Sequence, residues 1–195
     1  FITRTFTFKK IAEDILQNEV EAENLHCIAL RYFNPIGAHS TAKIGELPLG
    51  VPDNLVPYIT QTAIGKREKL RVFGDDYDTE DGTPVRDYIH VVDLAKAHLI
   101  ALKRMLNDEQ KSEWEIFNLG TGNGFSVLQV IKAFEKVSAI ALNYQITSRR
   151  AGDIEKVWAD TEYANRELGW KAEKDLEEMM RSAWKWELAL KERNK

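Results

Sequence analysis

The chain has a single cysteine, Cys27, among its 195 residues. One cysteine excludes an internal disulfide framework and favours a reducing compartment, so we expect a cytoplasmic location. No apolar run approaches the roughly 18 residues that a membrane span needs, and no signal peptide is visible. A large excess of charge of one sign is also lacking. The 27 Lys and Arg against 31 Asp and Glu give a net charge of −4, which argues against a nucleic-acid-binding surface.

Spacings typical of metal sites are missing as well. The four histidines are scattered, and no pair of His, Cys, Asp or Glu residues has a metal-site spacing with partners. The acidic segment Gly74–Pro84 lacks the phasing and the closing glutamate of a calcium loop. We therefore expect no metal site. His90, on an apolar segment, is interpreted as a structural histidine, and Cys27 as a small core residue.

The patterns that are present indicate an α/β fold. Leu25–Phe33 is nearly continuous in apolar residues, which predicts a strand buried on both faces, as in a parallel sheet. Ser126 and Gln129 predict a capping box at the start of a helix that runs to about residue 138. Further helices are predicted over residues 8–20, 55–66 and about 92–106 and near the C terminus, and further strands over 69–73 and 115–119.

Two features have the chemistry to bind an anion. Gly120–Gly124 lies between a predicted strand and a capped helix, but its G-x-G-x-G spacing is not that of a dinucleotide fingerprint, so a structural turn is favoured. Arg86, Arg149 and Arg150 lie next to loops, where arginine suits bidentate capture of an anion. From the chemistry alone, a surface salt bridge is an equally good interpretation of these arginines.

A series of short motifs runs in order along most of the chain. They are Arg31–His39, Pro52–Tyr58, Phe73–Thr83, Arg86–Leu94, Asn118–Gly122, Arg149–Asp153 and Glu167–Trp170. Together they resemble UDP-galactose (UDP-glucose) 4-epimerases, members of the extended short-chain dehydrogenase/reductase superfamily. The similarity runs from about Lys9 to about Leu190. The long acidic insertion before Arg86 separates these epimerases from related dehydratases.

The resemblance implies a two-lobed α/β fold. In the family, an N-terminal Rossmann lobe holds NAD and a smaller C-terminal α/β lobe clamps the UDP-sugar, and this chain resembles about the C-terminal half. We expect residues 1–35 to be a remnant of the NAD-binding domain. Residues 36–195 then form mainly the UDP-sugar-binding domain, with residues 86–120 packing back on the Rossmann sheet. The family forms homodimers.

The resemblance also implies a reaction, NAD-dependent epimerisation at C4 of UDP-galactose and UDP-glucose through a 4-keto intermediate, in galactose metabolism. The family uses a Tyr-x-x-x-Lys pair, in which a tyrosinate is the base. Lys9 falls in the lysine position and Thr5 in the tyrosine position. A threonine hydroxyl stays protonated, so we expect a fragment that is inactive alone. The alternatives are a catalytically dead UDP-sugar-binding module and another sugar-nucleotide enzyme of the superfamily.

Binding roles follow from the same resemblance. Lys9 and Phe33 are expected to contact NAD. The residues expected to contact the UDP-sugar are Asn34, Asn54 and Leu55 along the uridine diphosphate, Arg71, Val72 and Phe73 along the uracil, Arg86 and Arg150 at the diphosphate, Asp153 at the ribose, and Val157 beside the sugar C2 substituent. A small residue at position 157 implies space for an N-acetyl group.

Overall fold

A computed structural model describes residues 2–193, with side chains from residue 7 onward. The helices are α1 (Ile2–Glu23), α2 (Leu55–Ala63), α3 (Val91–Leu106), α4 (Val127–Ser138), α5 (Glu162–Glu167) and α6 (Leu176–Arg193). The strands are β1 (Cys27–Tyr32), β2 (Asn34–Ile36), β3 (Leu70–Phe73), β4 (Val85–His90), β5 (Trp114–Leu119), β6 (Gly124–Ser126), β7 (Tyr144–Thr147) and β8 (Lys156–Val157). Within this range, none of the helices has the length and apolar character that crossing a membrane requires.

Three small sheets organise these strands. β1 pairs in parallel with β5, and β3 pairs in parallel with β7. In the third sheet, β4 is parallel to β2 and to β8 and antiparallel to β6. Parallel strands connected through helices are the α/β arrangement that the sequence predicts. β4 therefore joins segments that lie far apart in the chain.

The main core lies between α6, α4, α2 and the strands β3 and β4. The helix predicted near the C terminus is confirmed as α6, and its apolar stripe is buried along its whole length. Its members are Leu176, Met179, Ala183, Trp186 and Leu190. Burying one large apolar side chain contributes about 1.5–3 kcal/mol to stability, so this helix is a principal support of the fold. The capping box of α4 is also confirmed, with Ser126 and Gln129 each bonded to the other's backbone N–H.

The N-terminal elements are more exposed than their sequence predicts. β1 begins at Cys27 and is half-buried at best, with Arg31 and Tyr32 exposed. The expectation of a strand buried on both faces is therefore wrong for this chain, and Cys27 is only partly buried. In α1, Val20 is buried, whereas Ile15 is 55% exposed. Among the described residues β5 is the strand that pairs with β1, so little of the chain covers these apolar faces.

His90 is a structural residue at the start of α3. Its side chain is 1% exposed. Nδ1 accepts a hydrogen bond from the backbone N–H of Val92 at 3.0 Å and so caps the helix, and Nε2 lies 3.1 Å from Ser182 Oγ. These contacts fit a neutral imidazole with its proton on Nε2, because a protonated Nδ1 could not accept the capping bond.

The neutral His90 predicts a pH-dependent stability. Burial lowers the pKa of His90 from its ordinary value. As the pH falls below about 6.5, the unfolded chain therefore takes up a proton that the folded chain excludes, and stability decreases. Asparagine can accept the same capping bond without titrating. We expect His90→Asn to flatten the dependence of Tm on pH between about 5.5 and 7.5, measured by thermal denaturation. The exposed His26, changed to Asn, is the control and should leave the slope intact; equal slopes for all three proteins would contradict this role.

Candidate functional site

A cleft of about 770 Å³ opens where β2, the start of α2, β3 and β4 approach one another. Ligand pockets of about 300–1,000 Å³ accommodate molecules of nucleotide size. Nine of the residues expected to contact a UDP-sugar line this one cleft. They are Asn34, Asn54, Leu55, Arg71, Val72, Phe73, Arg86, Arg150 and Asp153.

Arg86 forms the partly buried cationic centre of the cleft. Its Nη2 donates to Asp153 Oδ1 at 2.5 Å, and the two side chains are only 17% and 12% exposed. Its Nη1 donates to the carbonyl oxygens of Val85 at 2.7 Å and Glu155 at 3.4 Å. Because these contacts fix the guanidinium, it is preorganised for the bidentate recognition of an anion.

Arg150 presents its charge in a different way. Its guanidinium carbon lies 3.8 Å from the centre of the Phe73 ring, a cation–π contact. Among the described residues, no carboxylate oxygen lies within 4.0 Å of its nitrogens. Its neighbour Arg149 instead pairs with Asp76. Arg150 therefore brings to the cleft a positive charge that no carboxylate of the described chain neutralises.

Main-chain groups at β3 and two asparagines add neutral polar contacts. β3 pairs with β7 along one edge and has no strand on its other edge within the described residues, so backbone donors and acceptors are left there. Asn34 Nδ2 donates to the carbonyl oxygen of Asp87 at 2.9 Å. Asn54, at the start of α2, donates from Nδ2 to Glu46 Oε1 at 2.7 Å. The cleft thus combines cations, amides and a free strand edge.

The other residues expected at the site lie elsewhere. Lys9 is exposed on α1, Phe33 is half-buried directly after β1, and Val157 lies in β8 as the register partner of Arg86. None of these three lines the cleft. Thr5 belongs to α1, and its side chain lies outside the described residues.

Two tyrosines that line the cleft have no role that the sequence analysis predicts. Tyr58 lines the cleft with the Arg67 guanidinium 4.6 Å from its ring centre. Tyr88 also lines it, and burial raises the pKa of its hydroxyl, which remains a neutral donor. Tyr58 lies on a predicted helix and Tyr88 within a motif of the series, but pattern analysis alone does not tell which face of an element borders a cleft.

The Gly120–Gly124 loop is a turn whose amides are already bonded. The Asp87 carboxylate accepts hydrogen bonds from the backbone N–H groups of Thr121 at 3.0 Å and Gly122 at 3.1 Å. A phosphate would need these same donors. The interpretation as a structural turn therefore fits the geometry, and the loop offers no phosphate cradle.

The described part of the chain contains no cluster of side chains that could bind a metal ion. Within residues 2–193, no group of three or more His, Cys, Asp or Glu side chains is arranged to hold an ion. The acidic residues after Gly74 have other partners: Asp81 Oδ1 accepts bonds from the backbone N–H and the hydroxyl of Thr83, and Asp76 pairs with Arg149.

The fold and the cleft define an α/β protein with a preorganised arginine in a cleft of nucleotide size. The chain belongs to the family described as GDP-mannose 4,6 dehydratase, whose model matches residues 7–183. Among curated relatives, the UDP-glucose 4-epimerase of Haemophilus influenzae is 53% identical over 182 residues, which are 93% of this chain and 53% of that protein. The human UDP-glucose 4-epimerase is 48% identical over 92% of this chain and 51% of its own length.

Solved structures give the same result. The UDP-glucose-4-epimerase from Stenotrophomonas maltophila, with bound NAD and formylated UDP-arabinopyranose, is 48% identical with a TM-score of 0.90, covering 95% of this chain and 55% of that one. The enzyme from Bifidobacterium longum, in complex with NAD+ and UDP, is 46% identical with a TM-score of 0.88, covering 94% and 54%. The predicted α/β Rossmann-like fold and the resemblance to UDP-glucose 4-epimerases are confirmed. The chain spans about half the length of these relatives, and the residue roles and domain boundaries stay predictions.

Proposed function

We propose that this chain is the UDP-sugar-binding part of a UDP-glucose 4-epimerase. The observation that carries the proposal is the convergence on one cleft of nine residues that were chosen from the family resemblance of the sequence. These residues come from five separate stretches of the chain, and no local pattern requires them to meet. The relatives at about 50% identity are named UDP-glucose 4-epimerases, which supports the same assignment.

The chemistry of the cleft suits each part of uridine diphosphate. Arg86 and Arg150 supply two cations for the diphosphate, and charge-assisted hydrogen bonds of this type contribute roughly 1.5–3 kcal/mol each. The free edge of β3 suits the uracil, whose carbonyl and N–H groups pair with a backbone. Asp153 supplies a carboxylate for ribose hydroxyls. Asn34 adds an amide that Asp87 already orients.

NAD is the cofactor in both solved relatives described above. Lys9 and Phe33 are the residues of this chain that we propose to face it. The Gly120–Gly124 loop does not fit the pyrophosphate of the cofactor, because the backbone N–H groups of Thr121 and Gly122 are bonded to Asp87. We therefore derive no chemical step through NAD and propose that the chain alone binds UDP-sugars without epimerising them.

Calorimetric titration of the chain with UDP, UMP and GDP tests this function. UDP should bind best. UMP lacks the second phosphate and should lose roughly tenfold in affinity, the equivalent of one charge-assisted contact. GDP carries a larger base and should also bind more weakly.

The same preparation separates binding from catalysis. With NAD and UDP-galactose added, no turnover is expected from this chain. Equal affinity for UDP and UMP would place the binding outside the two arginines. Turnover like that of an intact epimerase would show that the chain is a complete enzyme and not a binding part.

A further inference from the structure

Asp87 is a fully buried carboxylate with an unusual set of partners. Its exposed fraction is 0%. Oδ1 accepts from Thr121 N–H at 3.0 Å and Thr121 Oγ1 at 2.6 Å, and Oδ2 accepts from Gly122 N–H and Ala159 N–H, both at 3.1 Å. No Lys, Arg or His nitrogen of the described chain lies within 4.0 Å of this carboxylate. Four neutral donors therefore hold the side chain in place of a cation.

These donors come from two segments that are distant in the sequence. Thr121 and Gly122 follow the end of β5, and Ala159 lies two residues beyond β8. The approach is so close that a Cβ on Gly120 would lie 2.3 Å from Asp87 Oδ2 and 2.7 Å from Ala159 Cβ. The carboxylate thus fastens the ends of β5 and β8 to β4, and glycine at position 120 makes the contact possible.

The segment around β8, which Asp87 binds through Ala159, also positions Arg86. β8 lies in parallel against Val85 and Arg86. Just before β8, Asp153 and the Glu155 carbonyl bind the Arg86 guanidinium. The Asp87 carbonyl also accepts the bond that orients Asn34. Because side chains alternate along a strand, the Asp87 carboxylate points away from the face that carries Arg86 and is absent from the cleft lining.

We propose that Asp87 is a positioning residue for the cleft. Its carboxylate holds segment 153–159 against β4 and thereby fixes the Arg86–Asp153 pair where a diphosphate binds. The consequence for ligand binding rests on the proposed function, whereas the positioning of the segment does not. A merely structural aspartate would affect stability and leave the affinity of the folded chain unchanged.

The variant Asp87→Asn tests the proposal with Asp93→Asn as its matched control. An amide has one oxygen and one NH2 group. In Asp87→Asn the NH2 group would therefore face donors that bond to a carboxylate oxygen in the original chain, and those bonds would be lost. Asp93 is also 0% exposed and accepts two backbone bonds, from Glu173 at 3.0 Å and Lys174 at 2.9 Å, away from the cleft. Asp87→Asn should lower Tm, because both oxygens of Asp87 accept hydrogen bonds. Asp93→Asn should lower it less, because Oδ2 accepts both backbone bonds and the NH2 group can replace Oδ1, which has no hydrogen-bond partner among the described residues. Measured well below Tm, the UDP affinity should fall about tenfold in Asp87→Asn and stay within twofold of the original in Asp93→Asn.

A second readout does not depend on UDP. The amide of Val85 donates to the Glu155 carbonyl at 2.8 Å and reports whether segment 153–159 lies against β4. Amide exchange followed by NMR should accelerate at Val85 in Asp87→Asn and not in Asp93→Asn. If the unchanged chain does not bind UDP, the proposed function fails, and this exchange still decides the positioning role.

Thr121→Val provides a milder variant in case Asp87→Asn does not fold. It removes the hydroxyl donor at 2.6 Å, together with the acceptor of the Asn123 N–H, and keeps the backbone bonds from Thr121 and Gly122 to Asp87. It should accelerate the Val85 exchange and weaken UDP binding in the same direction, by roughly threefold. The proposal would be overturned if Val85 exchange were unchanged in folded Asp87→Asn. If Asp87→Asn does not fold, unchanged exchange in Thr121→Val would overturn it in the same way. So would unchanged UDP affinity in a chain that binds UDP.

Discussion

Replacing Arg86 with alanine is expected to weaken UDP binding by about ten- to a hundredfold. The variant removes the preorganised cation of the cleft. It also leaves the Asp153 carboxylate, 12% exposed, without its partner. An unpaired carboxylate beside a diphosphate is repulsive, so the loss should exceed that of a single hydrogen bond. Calorimetric titration with UDP at low salt measures the effect.

The double variant Arg86→Ala/Asp153→Ala separates these two contributions. If repulsion from Asp153 matters, the double variant should bind UDP more tightly than Arg86→Ala, although it has fewer groups in the cleft. Arg150→Ala should fall at the lower end of the same range, because it leaves no carboxylate unpaired. Undiminished affinity in both single variants would show that neither arginine binds the diphosphate.

The features of the fold that could be predicted are those encoded locally. The capping box of α4 needs only Ser126 and Gln129, which are three residues apart, and the stripe of α6 needs only its own periodicity. β1 shows the limit of this approach. Its composition predicts a strand buried on both faces, whereas β5 alone pairs with it within the described residues. Burial is a property of the neighbours, and a strand's own sequence does not supply them.

In the candidate site, too, the sequence predicts what local patterns encode and does not predict contacts between distant residues. Arginine beside a loop has two equally good interpretations, and only the resemblance to a family favours binding for Arg86 and Arg150. Asp87 was not identified from the sequence, because its donors lie 34 to 72 residues away. An aspartate within a strand has no local signature that distinguishes a buried bridging carboxylate from an exposed one. Val157 illustrates the reverse case, a residue with an implied role that lies outside the cleft lining.

The second large effect is expected in stability, at the buried ion pair between α3 and β5. Arg104 Nε and Nη2 each donate to one oxygen of Glu115 at 2.8 Å, and the side chains are only 9% and 2% exposed. Glu115 also accepts from the backbone N–H of Lys111 at 3.0 Å. Glu115→Ala would leave a buried guanidinium without a counterion. We expect it to lower the free energy of unfolding by about 3–5 kcal/mol, measured by urea denaturation.

Two controls show whether the unpaired charge is the cause. Arg104→Met/Glu115→Leu removes both charges and fills their space, and it should cost far less than Glu115→Ala because no ion is left buried. Glu13→Ala breaks the more exposed pair that Glu13 forms with Arg31 between α1 and β1, and it should cost no more than about 1 kcal/mol. A double variant as unstable as Glu115→Ala would show that shape or hydrogen bonding, and not the lone charge, determines the loss.

The pH dependence of stability provides an independent test of whether the Arg104–Glu115 pair stabilises the folded chain. The hydrogen bonds from Arg104 lower the pKa of the Glu115 carboxyl. A carboxyl whose pKa is lower in the folded chain than in the unfolded chain contributes its stabilisation above about pH 4.3, and loses it as the pH falls through the folded value. The stability difference between the original chain and Glu115→Ala should therefore be constant from pH 6 to 7 and narrow on acidification below about pH 4. A difference that widens in acid would mean that Arg104 is not what keeps Glu115 ionised.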